Sequence, residues 1–194
     1  MDYPGPEVYL HGYAFGSYYR YDRFGRVAQS KWVKGGSGAG NLDLIYYGYD
    51  YAGNRKWRED VLAAANSKDY DEFYSYDGLH RLTNAQRGNL TDSPPTGINS
   101  STRNREQDWT LDQLGNWPTF KDRDTDTGST WDLNQSRTHN AANELTHIAS
   151  STTHVAEDDA GNMIKIPTPL SWGAHYDLKY DAWNRLVEVR EAGI

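Results

Sequence analysis

The chain has 194 residues, a net charge of -7 and no cysteine, and 37% of its residues are hydrophobic. It carries no basic stripe typical of nucleic-acid binders, no thiol for a disulfide or a thiolate metal site, and no apolar run near the roughly 20 residues of a membrane helix. Its 15 Tyr and 7 Trp can bury ring area while leaving a polar end in water. The composition therefore predicts a folded, aromatic-rich β protein with a thin or two-sided wall.

Residues 1–18 are the first predicted segment, an irregular stretch that contains an edge strand. They are rich in Pro, Gly and Tyr, and the apolar alternation at Val8 and Leu10 is only partial. The N-terminal sequence lacks the basic and apolar regions of a signal peptide. Three possibilities follow for localisation: the protein is intracellular, it is exported without that signal, or the chain is a fragment.

The clearest sequence feature is a short unit at residues 46–55, which reads Tyr-Tyr-Gly-Tyr-Asp-Tyr-Ala-Gly-Asn-Arg. Tyr47 and Tyr49 are two positions apart, so they share one face of an extended strand. Asp50 can accept a hydrogen bond from the backbone two residues later and start a turn. Gly53 can adopt the left-handed conformation that such a turn needs. The unit predicts a strand, a tight turn and the start of a second strand.

The unit recurs along residues 19–192, which predicts an array of β-hairpin repeats. We number each copy from its turn-starting residue, position 0. Position 3 holds only Gly, Asn or His, the residues enriched at positive φ, so it indicates backbone geometry. The carboxylates at position 0 indicate turn caps and not a catalytic pair. The predicted structural turn positions are Asp22 and Gly25, Asp50 and Gly53, Asp77 and His80, Asp112 and Gly115, Asn140 and Asn143, Asp158 and Gly161, and Asp181 and Asn184.

Position 5 of the repeat is apolar in all copies but one. Such a residue, placed just after the turn, is expected to plug the wall between strands. The position-5 residues are Val27, Arg55, Leu82, Trp117, Leu145, Met163 and Leu186.

The segments between the copies differ in character. Residues 35–40 are mostly glycine and interrupt the structure, whereas residues 42–50 alternate as the strongest strand. Residues 62–65 are the only helix-favouring run and predict either a single helical turn or a continuing strand. Residues 89–106 contain a Pro-Pro pair and many Ser, Thr and Asn, and predict a long surface loop. Residues 176–192 predict one more hairpin half.

Three patterns that could hold a ligand are better explained without one. Residues 122–128 resemble the start of a calcium loop, but Gly falls at the seventh place and Leu at the twelfth, where an EF-hand has Gly sixth and Glu twelfth. Residues 36–40 resemble a phosphate cradle, but they precede a strand and lack a following Lys-Ser/Thr. The spacings of His139, His147 and His154 mix the two faces of a strand. With no Gly-x-Ser-x-Gly elbow either, the sequence predicts no catalytic residue, no metal and no cofactor.

Three of the repeat copies closely resemble the RHS/YD-repeat family: residues 47–55, 74–82 and 180–186. The resemblance extends from about Tyr18 to Ala192 and is specific because the motif recurs in register. It implies a long β-sheet ribbon that spirals into a hollow shell, so that this chain forms a curved segment of that shell. In bacterial members the shell encloses a toxic C-terminal domain, often delivered to neighbouring cells. Other members belong to insecticidal toxin complexes or to cell-surface adhesion proteins.

The chain also departs from the family pattern. Members that cleave off their own toxin carry a motif containing Asp-Pro. This sequence has no Asp-Pro dipeptide, and it predicts no effector domain after Ala192. The copies at Asn140 and Asp158 have lost their tyrosines, and the copies are too few for a closed shell. The resemblance thus implies a segment of an RHS wall, or the product of a split or truncated gene. Its implied partners are the rest of such a shell or an encapsulated toxin domain, and its implied location is secreted or on the cell surface.

Three functions follow for comparison. The first is a non-enzymatic structural segment of an RHS-type shell that serves toxin containment, delivery or a surface interaction. The second is a stand-alone carbohydrate- or surface-binding β module in which Trp109 or Trp117 stacks on a sugar ring. The third is a hydrolase with dispersed residues, for which the sequence offers no support beyond the fact that sites can be grafted on any fold.

Overall fold

The structure, a computed structural model, describes residues 8–10, 20–34, 40–124, 130–149, 155–168 and 174–192. These residues form sixteen β-strands and one short helix, and the strands pair in antiparallel fashion. The predicted all-β class, with antiparallel hairpin repeats, is confirmed. Of the first predicted segment, only the strand Val8–Leu10 belongs to the described residues.

The elements are named in chain order. They are β1 (Val8–Leu10), β2 (Gln29–Lys34), β3 (Asn41–Tyr49), β4 (Arg55–Asp60), α1 (Val61–Ala65), β5 (Asp71–Tyr76), β6 (Leu82–Gly88), β7 (Leu90–Thr91), β8 (Gly97–Ile98), β9 (Arg105–Thr110), β10 (Thr119–Arg123), β11 (Leu133–His139), β12 (Leu145–Ile148), β13 (Ala156–Glu157), β14 (Met163–Pro167), β15 (His175–Tyr180) and β16 (Leu186–Ala192).

The chain divides into two compact units, and the first contains Met1–Gln107 and Arg123–Thr130. Its strands β1 to β6 lie side by side in chain order, with β9 next to β6. The register places Gly48, Trp57, Phe73 and Gln86 in one row across four strands. Because side chains alternate along each strand, residues two apart from this row share its face.

The second unit contains Asp108–Asp122 and Trp131–Ile194. Within it, β10, β11 and β12 pair in chain order, while β13 to β16 form a separate four-stranded sheet, again in chain order. Strands that follow one another in the chain thus pair with one another, as short hairpin connections require.

Six of the seven hairpins share one register. The residue before the turn, position -1, faces position 5, and in all but the first of them a register shift lies at this point. An extra residue on one strand of this kind is a β-bulge, which increases the local twist. The paired residues are Tyr21 and Val27, Tyr49 and Arg55, Tyr76 and Leu82, His139 and Leu145, Glu157 and Met163, and Tyr180 and Leu186.

Helix α1 decides between the two alternatives for residues 62–65 in favour of a helical turn. Asp60 is its N-cap, because its side-chain Oδ1 accepts a hydrogen bond from the backbone N–H of Ala63 at 3.0 Å. At the other end Asn66 donates its backbone N–H to the carbonyl of Leu62 at 3.1 Å. A helix this short depends on such contacts and on the strand before it, since it cannot be stable alone.

The stretch predicted as a long surface loop, residues 89–106, is more ordered than its composition indicates. Strands β7 and β8 pair within it, and β9 begins at Arg105. Ile98 is only 9% exposed. A Cβ added to Gly88 would lie 2.6 Å from Cγ2 of Ile98 and 2.9 Å from Cα of Arg103, so the segment packs directly on the backbone of β6.

The apolar core of the described residues is small. Its buried apolar members are Val33, Leu44, Ile98, Val155 and Ala174, and the buried polar residues are Asp71, Glu106, Gln135 and Thr168. Cross-strand pairs and hydrogen bonds must therefore carry much of the stability. Within the described ranges, no helix has the length and apolar character needed to cross a membrane.

Candidate functional site

The side chains at position 0 make a repeated hydrogen-bond pattern. Oδ1 of Asp77 accepts the backbone N–H groups of Leu79 at 2.9 Å and of Arg81 at 3.0 Å. The backbone closes the same loop, since His80 N–H donates to the carbonyl of Asp77 at 3.0 Å. This is the pattern of a tight turn followed by a left-handed residue at the end of a hairpin. The hydrogen bond from the position-4 backbone N–H also occurs at Asp22, Asp50, Asp112, Asn140, Asp158 and Asp181.

Position 3 has positive φ in every copy. The glycines are free to adopt this conformation, and the three other residues are His and Asn, which tolerate it. The φ angles are 80° at Gly25, 95° at Gly53, 63° at His80, 91° at Gly115, 65° at Asn143, 80° at Gly161 and 59° at Asn184. Each pair of predicted turn positions lies in its own hairpin turn.

The side chain at position 4 makes a second hydrogen bond with the side chain at position 0, which was not predicted from the sequence. We call this bond the position-4 clamp. Nε of Arg81 donates to Oδ2 of Asp77 at 2.7 Å. In the copy that starts with Asn140, whose second side-chain atom is a donor, position 4 is Glu144, and Nδ2 of Asn140 donates to it at 2.5 Å. The signal was present: position 4 is Arg or Asn wherever position 0 is Asp, and Glu where position 0 is Asn. The two positions match as donor and acceptor.

The pKa values of the turn aspartates are lowered. For Asp77 the largest cause is the hydrogen bond from the backbone N–H of Arg81, and for Asp181 it is the hydrogen bond from the side chain of Arg185. At Asp22 desolvation raises the pKa, but the hydrogen bonds together outweigh it. The pKa is also lowered at Asp50, Asp112 and Asp158.

These shifts predict acid sensitivity. A carboxyl group whose folded-state pKa lies below the unfolded value, about 3.9 for Asp, stabilises the fold above that value and loses this contribution as the pH falls through the folded-state pKa. We expect the free energy of unfolding to be nearly constant from about pH 7 to 5 and to fall below about pH 4. Urea unfolding followed by circular dichroism at pH 7, 5 and 3 measures it. Equal urea midpoints at pH 3 and pH 7 would contradict the stabilising role of the charged turn aspartates.

Neighbouring turns contact each other through positions 3 and 4. Nδ2 of Asn54, which donates to its own turn at Oδ2 of Asp50 at 2.8 Å, also lies 3.0 Å from Nδ1 of His80 in the next turn. The second unit repeats this contact twice: Nδ2 of Asn116 donates to Oδ1 of Asn143 at 3.1 Å, and Nδ2 of Asn162 donates to Oδ1 of Asn184 at 3.0 Å. The turn residues therefore form a polar ladder between adjacent hairpins.

In two copies the tyrosine at position -1 links its hairpin to the preceding one. Oη of Tyr49 donates to the carbonyl of Val27, and Oη of Tyr76 donates to the carbonyl of Arg55, each at 2.9 Å. Both acceptors occupy position 5 of the preceding copy. The guanidinium of Arg26 also lies over the ring of Tyr49, 4.4 Å from its centroid. The Tyr-Asp pair thus has two structural roles, since Tyr holds the neighbouring hairpin and Asp closes its own turn.

The hydrogen bond of Tyr76 predicts a measurable loss of stability when its hydroxyl is removed. Changing Tyr76 to Phe keeps the ring and removes the hydroxyl that bonds the carbonyl of Arg55, so it should lower the free energy of unfolding by about 0.5–1.5 kcal/mol. Tyr51→Phe is the matched control, because Tyr51 is fully exposed and its hydroxyl should contribute nothing. Urea unfolding of the two variants checks the prediction. Equal and negligible losses of stability in the two variants would show that water satisfies the hydroxyl of Tyr76 as well as the carbonyl of Arg55 does.

Position 5 differs from its prediction. The predicted burial in the wall is not observed in four of the six copies that have an apolar residue there, because these four side chains are substantially exposed. The reason is that the alternation places position 5 on one face of a sheet without requiring that face to be covered. The exposed fractions are 41% for Val27, 36% for Leu82, 41% for Trp117 and 50% for Leu186.

A buried polar cluster lies in the first unit around Glu106, which is 7% exposed. Its Oε1 accepts hydrogen bonds from Nδ2 of Asn84 at 3.0 Å and Nε2 of Gln86 at 2.9 Å. Its Oε2 accepts from Nε of Arg123 at 2.9 Å and lies 3.4 Å from Nη1 of Arg103. The bonds from Asn84 and Arg123 help to hold the pKa of Glu106 low against the effect of burial. With both oxygens occupied, this carboxylate is suited to bracing three strands and not to accepting a proton from a substrate.

An aromatic cluster lies in the second unit. Trp109 lies 6.4 Å from Trp117 and 5.7 Å from Phe120, measured between ring centroids, and the guanidinium of Arg137 lies 5.1 Å from the centroid of Trp117. The rings pack against one another, as cross-strand aromatic pairs do. Trp117 is nevertheless 41% exposed, so part of its ring surface is accessible to a ligand.

The other candidate ligand sites lie partly outside the described residues. Residues 125–129 of the calcium-like stretch, residues 36–39 of the glycine-rich stretch and His154 are among those not described. Within the described ranges, no group of three or more His, Cys, Asp or Glu side chains is arranged to hold a metal ion.

Comparison with known proteins gives matches among solved structures alone. No protein-family model matches the chain, and no curated protein matches it. The Tc holotoxin pore of Photorhabdus luminescens matches with a TM-score of 0.59 and 18% identity, over 87% of this chain and 8% of that chain. The TcdB2-TccC3-Cdc42 complex matches with a TM-score of 0.57 and 19% identity over 87% and 8% of the two chains. TcdB2-TccC3 matches with a TM-score of 0.57 and 20% identity over 87% and 9%.

These likenesses concern the fold alone, because the identities are all below a quarter. The chain spans less than a tenth of the length of the chains it matches. The arrangement of antiparallel hairpins is therefore one that Tc toxin chains share.

Proposed function

We propose that this chain is a non-enzymatic segment of an RHS-type β shell, with a role in toxin containment, toxin delivery or a surface interaction. The observation that carries the proposal is the link between successive hairpins. Tyr49 and Tyr76 each donate a hydroxyl to position 5 of the preceding copy, so the consensus Tyr-Asp pair serves to extend a sheet hairpin by hairpin. The likeness of the fold to Tc toxin chains supports the same assignment.

The chemistry of the repeat favours a structural role over catalysis. The turn carboxylates are engaged by their own backbone and by position 4, and their lowered pKa values keep them charged at neutral pH. The buried carboxylate of Glu106 is likewise occupied on both oxygens. A general base has to be able to accept a proton, and the described carboxylates of these two kinds are committed to hydrogen bonds that stabilise the fold.

A segment exchange tests the proposal. Residues 20–192 would replace the structurally equivalent stretch in a bacterial RHS protein that encloses a toxin domain. We expect the chimera to assemble and the enclosed domain to stay protected from added protease. As a control, the same chimera carrying Gly53→Val and Gly115→Val should lose the protection, because both positions require positive φ. A well-folded chimera whose enclosed domain is digested as fast as the free domain would refute the shell role.

A second candidate function rests on the aromatic cluster. Trp117 presents accessible ring surface next to Trp109, and such surfaces stack on sugar rings. If the chain is a carbohydrate-binding module, a glycan array should give a dose-dependent signal that Trp117→Ala removes. Trp183→Ala is the control, since Trp183 is 75% exposed and lies in the turn between β15 and β16. An array without signals would refute the carbohydrate-binding module and leave the shell segment as the proposed function.

A further inference from the structure

A pocket of about 510 Å³ lies in the first unit, under the loop that follows β7. An indole and two adjacent prolines, Trp57, Pro94 and Pro95, supply its flat apolar walls. Its polar lining is dominated by carboxylates. These are Glu59, Asp71 and Asp92, and Leu90 and Ser93 complete the lining. A concave site with apolar walls and a few convergent polar groups is the usual form of a ligand pocket.

The indole wall is fixed by the sheet. Trp57 faces Gly48 across β3 and β4. A Cβ added to Gly48 would lie 2.0 Å, 2.1 Å and 2.6 Å from three atoms of the indole, which means that the ring lies directly on the glycine backbone. Because residue 48 is glycine, the indole of Trp57 has room to lie on the backbone there. The ring is therefore fixed in position before any ligand binds.

The deepest carboxylate is fixed as well. Asp71 is 6% exposed, and its two oxygens accept backbone hydrogen bonds from Asp60 at 2.8 Å and from Leu90 at 3.2 Å. The second bond ties β5 to the chain segment that carries the two prolines. Asp71 thus holds the two walls of the pocket together and leaves its charge inside.

Glu59 is the carboxylate left available to a ligand. It lies on the strand next to Asp71, and burial together with the charge of Asp71 raises its pKa. Like charges that face each other across neighbouring strands are destabilising. The nearby cation Arg58 is engaged elsewhere, since it donates to Oδ2 of Asp60 at 3.1 Å and to the carbonyl of Tyr70 at 3.2 Å. A bound cation would relieve the repulsion between Glu59 and Asp71.

We propose that this pocket binds an arginine side chain of a polypeptide, with the guanidinium between the indole of Trp57 and the two prolines and against Glu59. A guanidinium is planar, weakly hydrated and suited to stacking on an aromatic face while it bonds a carboxylate. Asp92, whose Oδ2 accepts a bond from Thr96 at 2.5 Å, adds negative charge at the rim. The site goes beyond a purely structural role for the chain and does not depend on it.

Titration with short peptides tests the proposal on the full chain. The probe is a blocked Ala-Arg-Ala peptide, and the matched control is Ala-citrulline-Ala, which keeps the shape and lacks the charge. The readout is the NMR resonance of the Trp57 indole N–H, identified by its loss in Trp57→Phe. We expect the arginine peptide to shift this resonance saturably, the citrulline peptide to bind at least about tenfold more weakly, and added salt to weaken binding.

Two variants locate the site. Glu59→Gln should weaken the arginine peptide about fivefold, and Asp92→Asn should weaken it less. Glu191→Gln, the same change of charge at an exposed residue of β16, should leave binding unchanged. Equal affinity for the citrulline peptide, an affinity unaffected by both pocket variants, or a Trp57 resonance that responds to methyl glucoside and not to arginine would each overturn the proposal.

Discussion

Replacing Glu106 by alanine is expected to lower the free energy of unfolding by about 3–5 kcal/mol, because breaking a buried ion pair leaves an uncompensated charge. The side chains of Arg123 and Arg103 are only 12% and 20% exposed, and both approach the same carboxylate oxygen. Without it two guanidinium groups would face each other, and Asn84 and Gln86 would lose their acceptor. Urea unfolding at pH 7 measures the loss.

Two further variants separate charge from packing. Glu106→Gln keeps the size of the side chain but removes the charge and turns one acceptor into a donor that faces other donors, so we expect a smaller loss of about 1–3 kcal/mol. Glu191→Ala removes an exposed glutamate of β16 and should change the stability by less than about 0.5 kcal/mol. A loss below about 1 kcal/mol for Glu106→Ala would mean that water replaces the carboxylate at little cost.

The fold class could be predicted because the evidence for it is local and repeated. Alternating tyrosines, a turn-starting residue at position 0 and a residue tolerant of positive φ at position 3 all lie within a few residues of one another. The short helix was also visible as one of two alternatives. The order within residues 89–106 was not, because it depends on the contact between Ile98 and the backbone at Gly88, which polar composition does not reveal.

The contacts between hairpins could not be predicted from the same pattern. The acceptor for Tyr49 is a backbone carbonyl 22 residues earlier, and the acceptor for Tyr76 is 21 residues earlier. Every residue has a backbone carbonyl, so residue type does not indicate which one is the acceptor. Only the register of the sheet selects it. The position-4 clamp was readable in principle, because Glu144 replaces a donor only where Asn140 replaces Asp50 and its equivalents. The exposure of Val27 could not be inferred, since alternation assigns residues to a face and does not say what covers it.

Gly53→Val is expected to lower the free energy of unfolding by about 2–3 kcal/mol, since it forces a β-branched residue to a φ of 95°. This loss of stability should come from backbone strain and not from a steric clash. A Cβ at this position would meet only Nη1 of Arg26 at 3.6 Å, an ordinary contact with the end of a flexible side chain. Ala52→Val, one residue earlier in the same exposed turn, introduces valine at a residue that does not have positive φ. It should lower the free energy of unfolding by less than about 0.5 kcal/mol.

Asparagine provides a further control at the same site, because Asn143 and Asn184 hold position 3 in other copies at φ 65° and 59°. Gly53→Asn should therefore cost about 1 kcal/mol or less, well below valine. Thermal unfolding by circular dichroism gives the order, with melting temperature falling from wild type through Asn to Val. Equal shifts for Val at positions 52 and 53 would mean that the turn tolerates a side chain wherever it is placed. The repeated Gly, Asn and His at position 3 would then need a cause other than backbone geometry.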